Sequence, residues 1–163
     1  MKENFSKRVQ LIIKLSKEEA IRLGHSYVGS EHLLLGLLKE SSGLGKKVLD
    51  VYDIDPNEMV SMIKDMIKTS GGTMTLGHLP LTRRAERILR NAFSEASSLG
   101  ETIADDEHLL LAMLRESEGI AFEILKSFSL DYDTVGDLIK TTEDESDLDT
   151  PMSSKPSSKS KTP

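Results

Sequence analysis

The sequence predicts an all-α protein built from two tandem four-helix repeats, eight helices in all. Two observations carry that prediction: an internal duplication that runs without a gap, and an aliphatic composition poor in aromatic residues. Aligning Phe5 with Leu81 keeps the two halves in register for about 60 residues. Ile12 then meets Ile88, Glu19-Ala20 meets Glu95-Ala96, Leu23-Gly24 meets Leu99-Gly100, and Glu31-His32-Leu33-Leu34-Leu35 meets Glu107-His108-Leu109-Leu110-Leu111. Gly43 matches Gly119, and Ile63-Lys64 matches Ile139-Lys140. With no tryptophan, the core must be filled mainly by aliphatic side chains, which suits packed helices better than a β-sandwich.

In the first copy Val9, Ile12, Ile13, Ala20 and Leu23 share one face of a helix, and Gly24 stands where a left-handed residue would end it. Ala85, Ile88, Leu89, Ala96, Leu99 and Gly100 repeat that pattern. The second helix of each copy opens near Ser30 or Asp106, each read as an N-cap, and carries the triple-leucine run. A short third helix spans about residues 43–52 and 119–128. The fourth starts at Asp55-Pro56-Asn57-Glu58, where an N-cap aspartate, proline at N1 and an acid at N3 agree, and its counterpart starts near Asp131. These readings divide the chain into a first repeat over 1–70, a Gly/Thr-rich linker over 71–80, a second repeat over 81–142 and a tail over 143–163. The tail is acidic and then rich in Ser, Lys and Pro, so it is expected to be disordered.

Charge and composition exclude several function classes. The 163 residues carry 21 basic and 27 acidic side chains, a net charge of −6, with no basic stripe of the kind that binds nucleic acid. Cysteine is absent, which removes disulfides, thiolate metal sites and cysteine nucleophiles, and fits a cytoplasmic setting. The N-terminus leads into a charged amphipathic segment rather than a signal core, and no apolar run approaches the roughly 20 residues of a membrane span.

A search for chemistry returns little. Gly43-Leu44-Gly45-Lys46-Lys47 lacks the glycine five residues before Gly45, where Glu40 stands, and lacks the hydroxyl residue after the lysine that a phosphate loop needs. No His-Glu-x-x-His zinc pattern and no Gly-x-Ser-x-Gly elbow is present, so neither a catalytic group, a metal site nor a cofactor is expected. His32 and His108 hold matching positions, which favours a shared hydrogen-bonded role over ligation. Glu31 and Glu107 admit two accounts: an acid gaining from the helix dipole in the first turn, or a repeated carboxylate facing a cationic group on a partner. Ser6 and Thr82, each followed by basic residues, stand at helix starts where hydroxyl and N–H groups can cap the helix or hold an incoming anion.

The segments from Gly24 to Leu37 and from Ala104 to Leu114, with Phe5-Ser6-Lys7-Arg8-Val9 and Leu81-Thr82-Arg83-Arg84-Ala85, resemble the paired signatures of the Clp amino-terminal repeat family, the first copy most closely in its ClpC branch. The resemblance covers about residues 5–142. It implies two four-helix repeats related by a pseudo-two-fold axis, set above a hexameric AAA+ motor that unfolds proteins for the ClpP peptidase. Its implied partners are substrate and adaptor proteins, with no catalysis by this domain. It further implies binding of phosphoarginine, with Ser6 and Thr82 helping to hold phosphate and Glu31 and Glu107 taking the guanidinium. One departure stands out: Gly29-Ser30 of the first copy becomes Asp105-Asp106 in the second, so the first site is expected to bind better and the second to be weak or to take a cationic peptide. The runner-up reading is a disaggregase-type domain that binds exposed hydrophobic segments.

Overall fold

The structure is a computed structural model that describes residues 4–40, 42–67 and 79–148, with side chains as far as 142. Among the described residues it is all-helical, with eight helices and no strand beyond two isolated bridges. They are α1 (Lys7–Arg22), α2 (Ser30–Glu40), α3 (Leu44–Val51), α4 (Pro56–Met66), α5 (Arg83–Ser98), α6 (Asp106–Arg115), α7 (Ile120–Ser127) and α8 (Tyr132–Leu148). The alignment that carries Phe5 to Leu81 also carries the first residue of each helix of copy one to the first residue of its counterpart. Residues 71–78 of the predicted linker and the tail beyond 148 lie outside the described residues. One boundary differs from the composition-based reading: the α8 backbone stays helical to Leu148, past the change at 143. Extending an existing helix is far easier than nucleating one, so α8 does not have to stop where its core-facing pattern does.

Local chemistry explains the ends. Ser6 caps α1 by accepting from the Val9 N–H at 3.0 Å, and Thr82 caps α5 by accepting from Ala85 at 3.1 Å. Both long helices finish at a glycine with positive φ, Gly24 at 78° and Gly100 at 80°. The next N–H turns back to the helix in both, His25 to Ala20 and Glu101 to Ala96, each at 2.9 Å, the Schellman arrangement. Asp55 accepts from Asn57 and Pro56 opens α4.

The layers follow from the apolar pattern. Helices α2 and α6 are buried through Ser30–Leu38 and Asp106–Leu114, because their leucines face neighbours on every side. Buried glutamates tie the first layer to them. Glu19, 1% exposed, pairs with Lys39 of α2 at 2.9 Å and with Arg22. Its counterpart Glu95 pairs with Arg115 at 2.8 Å and accepts from the Tyr132 hydroxyl of α8 at 2.6 Å. At these depths a lone carboxylate would be strongly unfavourable, so each is paired with at least one cation.

The copies are interleaved. Helix α3 packs on α6 and α8 of the second copy, and α7 packs on α2 and α4 of the first, so one continuous core contains residues of both. The bridges are reciprocal: Phe5 pairs with Ala104, and their counterparts Leu81 and Val28 pair with each other. Reciprocity of that kind is the mark of a two-fold relation.

The third helices also depend on the other copy for their caps. Gly43 and Gly119 precede α3 and α7 and have no side chain to offer. Asp106 Oδ2 instead accepts from the Gly45 N–H of α3 at 2.8 Å, and Ser30 Oγ stands 3.5 Å from the Ala121 N–H of α7. A methyl group on Gly43 would come within 2.3 Å of the Asp106 carboxylate. Gly43→Ala should therefore lose about 1–3 kcal/mol in urea unfolding. In the Gly43→Ala/Asp106→Ala double variant the alanine should add almost nothing to the loss from Asp106→Ala, because the crowded carboxylate is gone. Strict additivity would show that the glycine serves some other purpose.

Candidate functional site

The sequence-predicted residues meet across the copies. The Phe5–Ala104 bridge, with Ser6 N–H donating to the Ala104 carbonyl at 2.9 Å, sets the start of α1 beside Asp105-Asp106-Glu107. The Val28–Leu81 bridge, with Thr82 N–H donating to Val28 at 2.9 Å, sets the start of α5 beside Gly29-Ser30-Glu31. Ser6 therefore belongs with Glu107, and Thr82 with Glu31.

Ser30 and Asp106 are not the N-caps expected from sequence. Asp105 caps α6, and its N–H donates to His108 Nδ1 at 2.9 Å in a capping box. Gly29 holds the matching place and donates to His32 Nδ1 at 2.9 Å. Ser30 and Asp106 are the first helical residues, displaced by one position because the histidine three residues past the cap, and not an acid, closes the box. This explains the repeated histidine: His32 and His108 are structural acceptors at helix starts.

At the Ser6 site the chain supplies its own anion. Ser6 Oγ donates to Asp105 Oδ1 at 2.7 Å, and Arg8 Nη1 donates to both Asp105 oxygens at 3.1 Å. The Asp106 N–H adds a bond at 2.8 Å. Burial pushes the Asp105 carboxyl up, but the Ser6 and Asp106 hydrogen bonds and the Arg8 charge outweigh it and hold the group below its ordinary value. Arg8 also reaches Ser42 at 3.1 Å and lies 3.6 Å from Glu40 and 3.8 Å from Asp106. The oxygens of Asp105, Asp106 and Glu107 lie within 4.8 Å of one another, yet Arg8 already supplies a cation to Asp105 and Asp106. Glu107 is buried beside two carboxylates. Burial first, then a hydrogen bond shared with Asp106 and the charges of Asp106 and Asp105, push its carboxyl far above the ordinary value of 4.5, so it keeps a proton at neutral pH.

At the Thr82 site the same frame carries different groups. Thr82 Oγ1 accepts from Ala85 but donates to no group among the described residues. Arg84 donates to the exposed Glu118 at 3.2 Å and lies 3.7 Å from Glu116, while its Nε is buried without an acceptor. A methyl group on Gly119 would meet Arg84 Cδ at 2.6 Å and Ser30 Oγ at 3.3 Å, so these side chains are neighbours. Glu31, 9% exposed, makes no hydrogen bond or ion pair among the described residues. Its carboxylate folds over Gly29, 2.7 Å from where a side chain there would begin. A helix start, a hydroxyl and an arginine thus stand beside an unpaired carboxylate, which suits a ligand bearing an anion next to a cation. Arg8, Arg84 and the Asp105 contact escaped the sequence reading as site residues, and the Gly29-to-Asp105 change was the one legible signal.

The histidines differ too. With Nδ1 of His32 accepting from Gly29, its proton sits on Nε2 and is donated to His25 Nδ1 at 2.8 Å. Burial and the His25 charge lower His32 to about 4. In the second copy Glu101 replaces His25 in the alignment, and His108 Nε2 is buried without a hydrogen-bond partner, with the Glu107 carboxyl 3.9 Å away.

The two buried groups give opposite pH dependences. His32 is depressed in the fold, so an unfolded chain takes up its proton first, and stability falls as pH drops from 6.5 towards about 4. Glu107 is raised in the fold, so its contribution is complete below 4.5 and is lost as pH climbs above it. Glu107→Gln should therefore match the wild type in urea unfolding near pH 4.5 and become more stable than it as pH rises, by up to about 1.4 kcal/mol per unit. A constant difference at all pH values would mean that Glu107 ionises normally.

The family model for the Clp repeat (R) N-terminal domain matches residues 4–128 and 80–160. The chloroplastic chaperone protein ClpC1 of Oryza sativa subsp. japonica is 38% identical over 135 residues, 83% of this chain and 15% of that protein. The ClpA homolog of Guillardia theta is 37% identical over 135 residues, 83% of this chain and 16% of that protein. The chain thus spans about 15% of the length of the curated relatives it matches. Among solved structures, the Hsp104 N-terminal domain from Candida albicans superposes with a TM-score of 0.70 at 17% identity, covering 88% of this chain and 92% of that one. The ClpD N-terminal domain from Arabidopsis thaliana gives 0.66 at 20% identity, covering 86% and 96%. At such identities the likeness is one of fold.

Proposed function

We propose that this chain, which belongs to the Clp repeat N-terminal domain family, is a non-catalytic receiving module that binds substrate and adaptor proteins for an AAA+ unfoldase feeding a ClpP-type peptidase. Its ligand chemistry in this reading is phosphoarginine displayed on a protein. The observation that carries the reading is the Thr82 site. A phosphate there meets the α5 N–H groups, the Thr82 hydroxyl and Arg84, and the guanidinium bonded to that phosphate meets the Glu31 carboxylate, which has no partner among the described residues. Neither arginine alone nor phosphate alone satisfies both halves, so the pair gives selectivity as well as affinity.

Calorimetric titration with free phosphoarginine, beside arginine and phosphate, tests this. The wild type should bind phosphoarginine more tightly than either control. Glu31→Ala should weaken binding by tenfold or more, equivalent to about 1.4 kcal/mol. Glu107→Ala should change it less than threefold, because a protonated, buried acid makes no ion pair with a guanidinium. Absence of heat with phosphoarginine would overturn the reading. The rival, capture of exposed apolar segments, draws on Tyr27 and Ile103, which hold matching positions and are 40% and 50% exposed.

A further inference from the structure

The internal two-fold provides each group at the Thr82 site with a counterpart at the Ser6 site, so the molecule contains its own control. Ser6 corresponds to Thr82, Arg8 to Arg84, Glu107 to Glu31, and Asp105-Asp106 to Gly29-Ser30. Both helix starts are capped alike, by a hydroxyl accepting from the third residue along. Both arginines turn back towards a glutamate of the same copy, Arg8 to Glu40 at 3.6 Å and Arg84 to Glu116 at 3.7 Å. What differs is the anion. At the Ser6 site a carboxylate accepts a hydrogen bond from the hydroxyl and two from the arginine, whereas the first copy has glycine at the corresponding position and, among the described residues, sends no carboxylate to Thr82 or Arg84.

We infer that Asp105 is a built-in anion plug: its carboxylate occupies, at the Ser6 site, the place that a ligand's phosphate takes at the Thr82 site, leaving one phosphate-accepting site per chain. The inference rests on the proposed reading of the Thr82 site and adds its stoichiometry and the residue that sets it.

Three features make the plug effective. Asp105 is covalently tethered beside its donors, so its effective concentration exceeds that of any free ligand. Its bonds to Arg8 are charge-assisted, and a phosphate would have to displace them while entering next to Asp105 and Asp106, both anionic neighbours. Asp106 is itself fixed in place, because it caps α3 through the Gly45 N–H and cannot swing away. The guanidinium half fares no better there, since Glu107 is turned into the buried acid cluster 3.9 Å from His108. At the open site, by contrast, the nine-tenths-buried Glu31 has no partner among the described residues and lies over Gly29, beside the helix start that a ligand would reach.

The test uses the full chain and inorganic phosphate as the probe, followed by amide NMR. In the wild type the amides of Thr82, Arg83, Arg84 and Ala85 should shift with phosphate, while those of Ser6, Lys7, Arg8 and Val9 should need at least tenfold more. In Asp105→Gly/Asp106→Ser, which gives the second copy the first copy's residues, both sets should respond at similar concentrations. Phosphoarginine should then bind with a stoichiometry of two where the wild type takes one. Should the double exchange fail to fold, Asp105→Asn tests the charge alone, and Gly29→Asp tests the converse by suppressing the Thr82 response. Equal response of both helix starts in the wild type would overturn the plug. So would a silent Ser6 site in a folded plug-free variant. If phosphate perturbs only the Thr82 set while phosphoarginine binds no better than phosphate, the phosphoarginine reading fails and the plug stands.

Discussion

The pair of reciprocal backbone bridges, Phe5 to Ala104 and Leu81 to Val28, is the constraint on which the remaining architecture depends. Each consists of two main-chain hydrogen bonds near 2.9 Å joining the residues before one copy's long helix to those before the other copy's central helix. Those residues are extended and would otherwise leave buried polar groups unpaired, a penalty comparable to a lost hydrogen bond for each group. Pairing them across the copies forces the first helix of one to start beside the second helix of the other. The caps of α3 and α7 and the composition of both candidate sites then follow from the same juxtaposition. The duplication is therefore a single folding unit in its core, and the copies act on each other's helix ends.

A symmetric frame makes small differences in sequence easy to interpret. The change from Gly29-Ser30 to Asp105-Asp106 adds two carboxylates to a place that already holds a buried glutamate. The response is layered: Asp105 is neutralised by Arg8 and Ser6, Asp106 is used to cap α3, and Glu107 keeps its proton. Three acids in sequence thus take three different states because each meets different donors. In the other copy Glu31 has no such company. The histidines diverge for the same reason, His32 resting on His25 while His108 has lost that partner to Glu101.

Much of this was legible in the sequence. The repeat, the helix starts at Asp55 and at Ser6 and Thr82, and the glycine ends at Gly24 and Gly100 all rest on interactions within a few residues of one another, and all are found as expected. The errors arose where a local rule had two adjacent solutions. Ser30 and Asp106 are good capping residues by type, but Gly29 and Asp105 take the cap because His32 and His108 accept from them. Helix α8 outlasts its core pattern because propagation needs no core.

What the sequence determined by itself is the all-helical class, the two-fold repetition and the list of chemically able residues, since periodicity, caps and composition act over short stretches of chain. Only the tertiary structure decided which of those residues meet. Ser6 faces Asp105 and Thr82 lies by Gly29, contacts between positions far apart in the chain that no local pattern encodes. Whether a carboxylate is a ligand group, a cap or a proton carrier depends on its donors and its exposure to water, and both are set by the packing of one copy against the other.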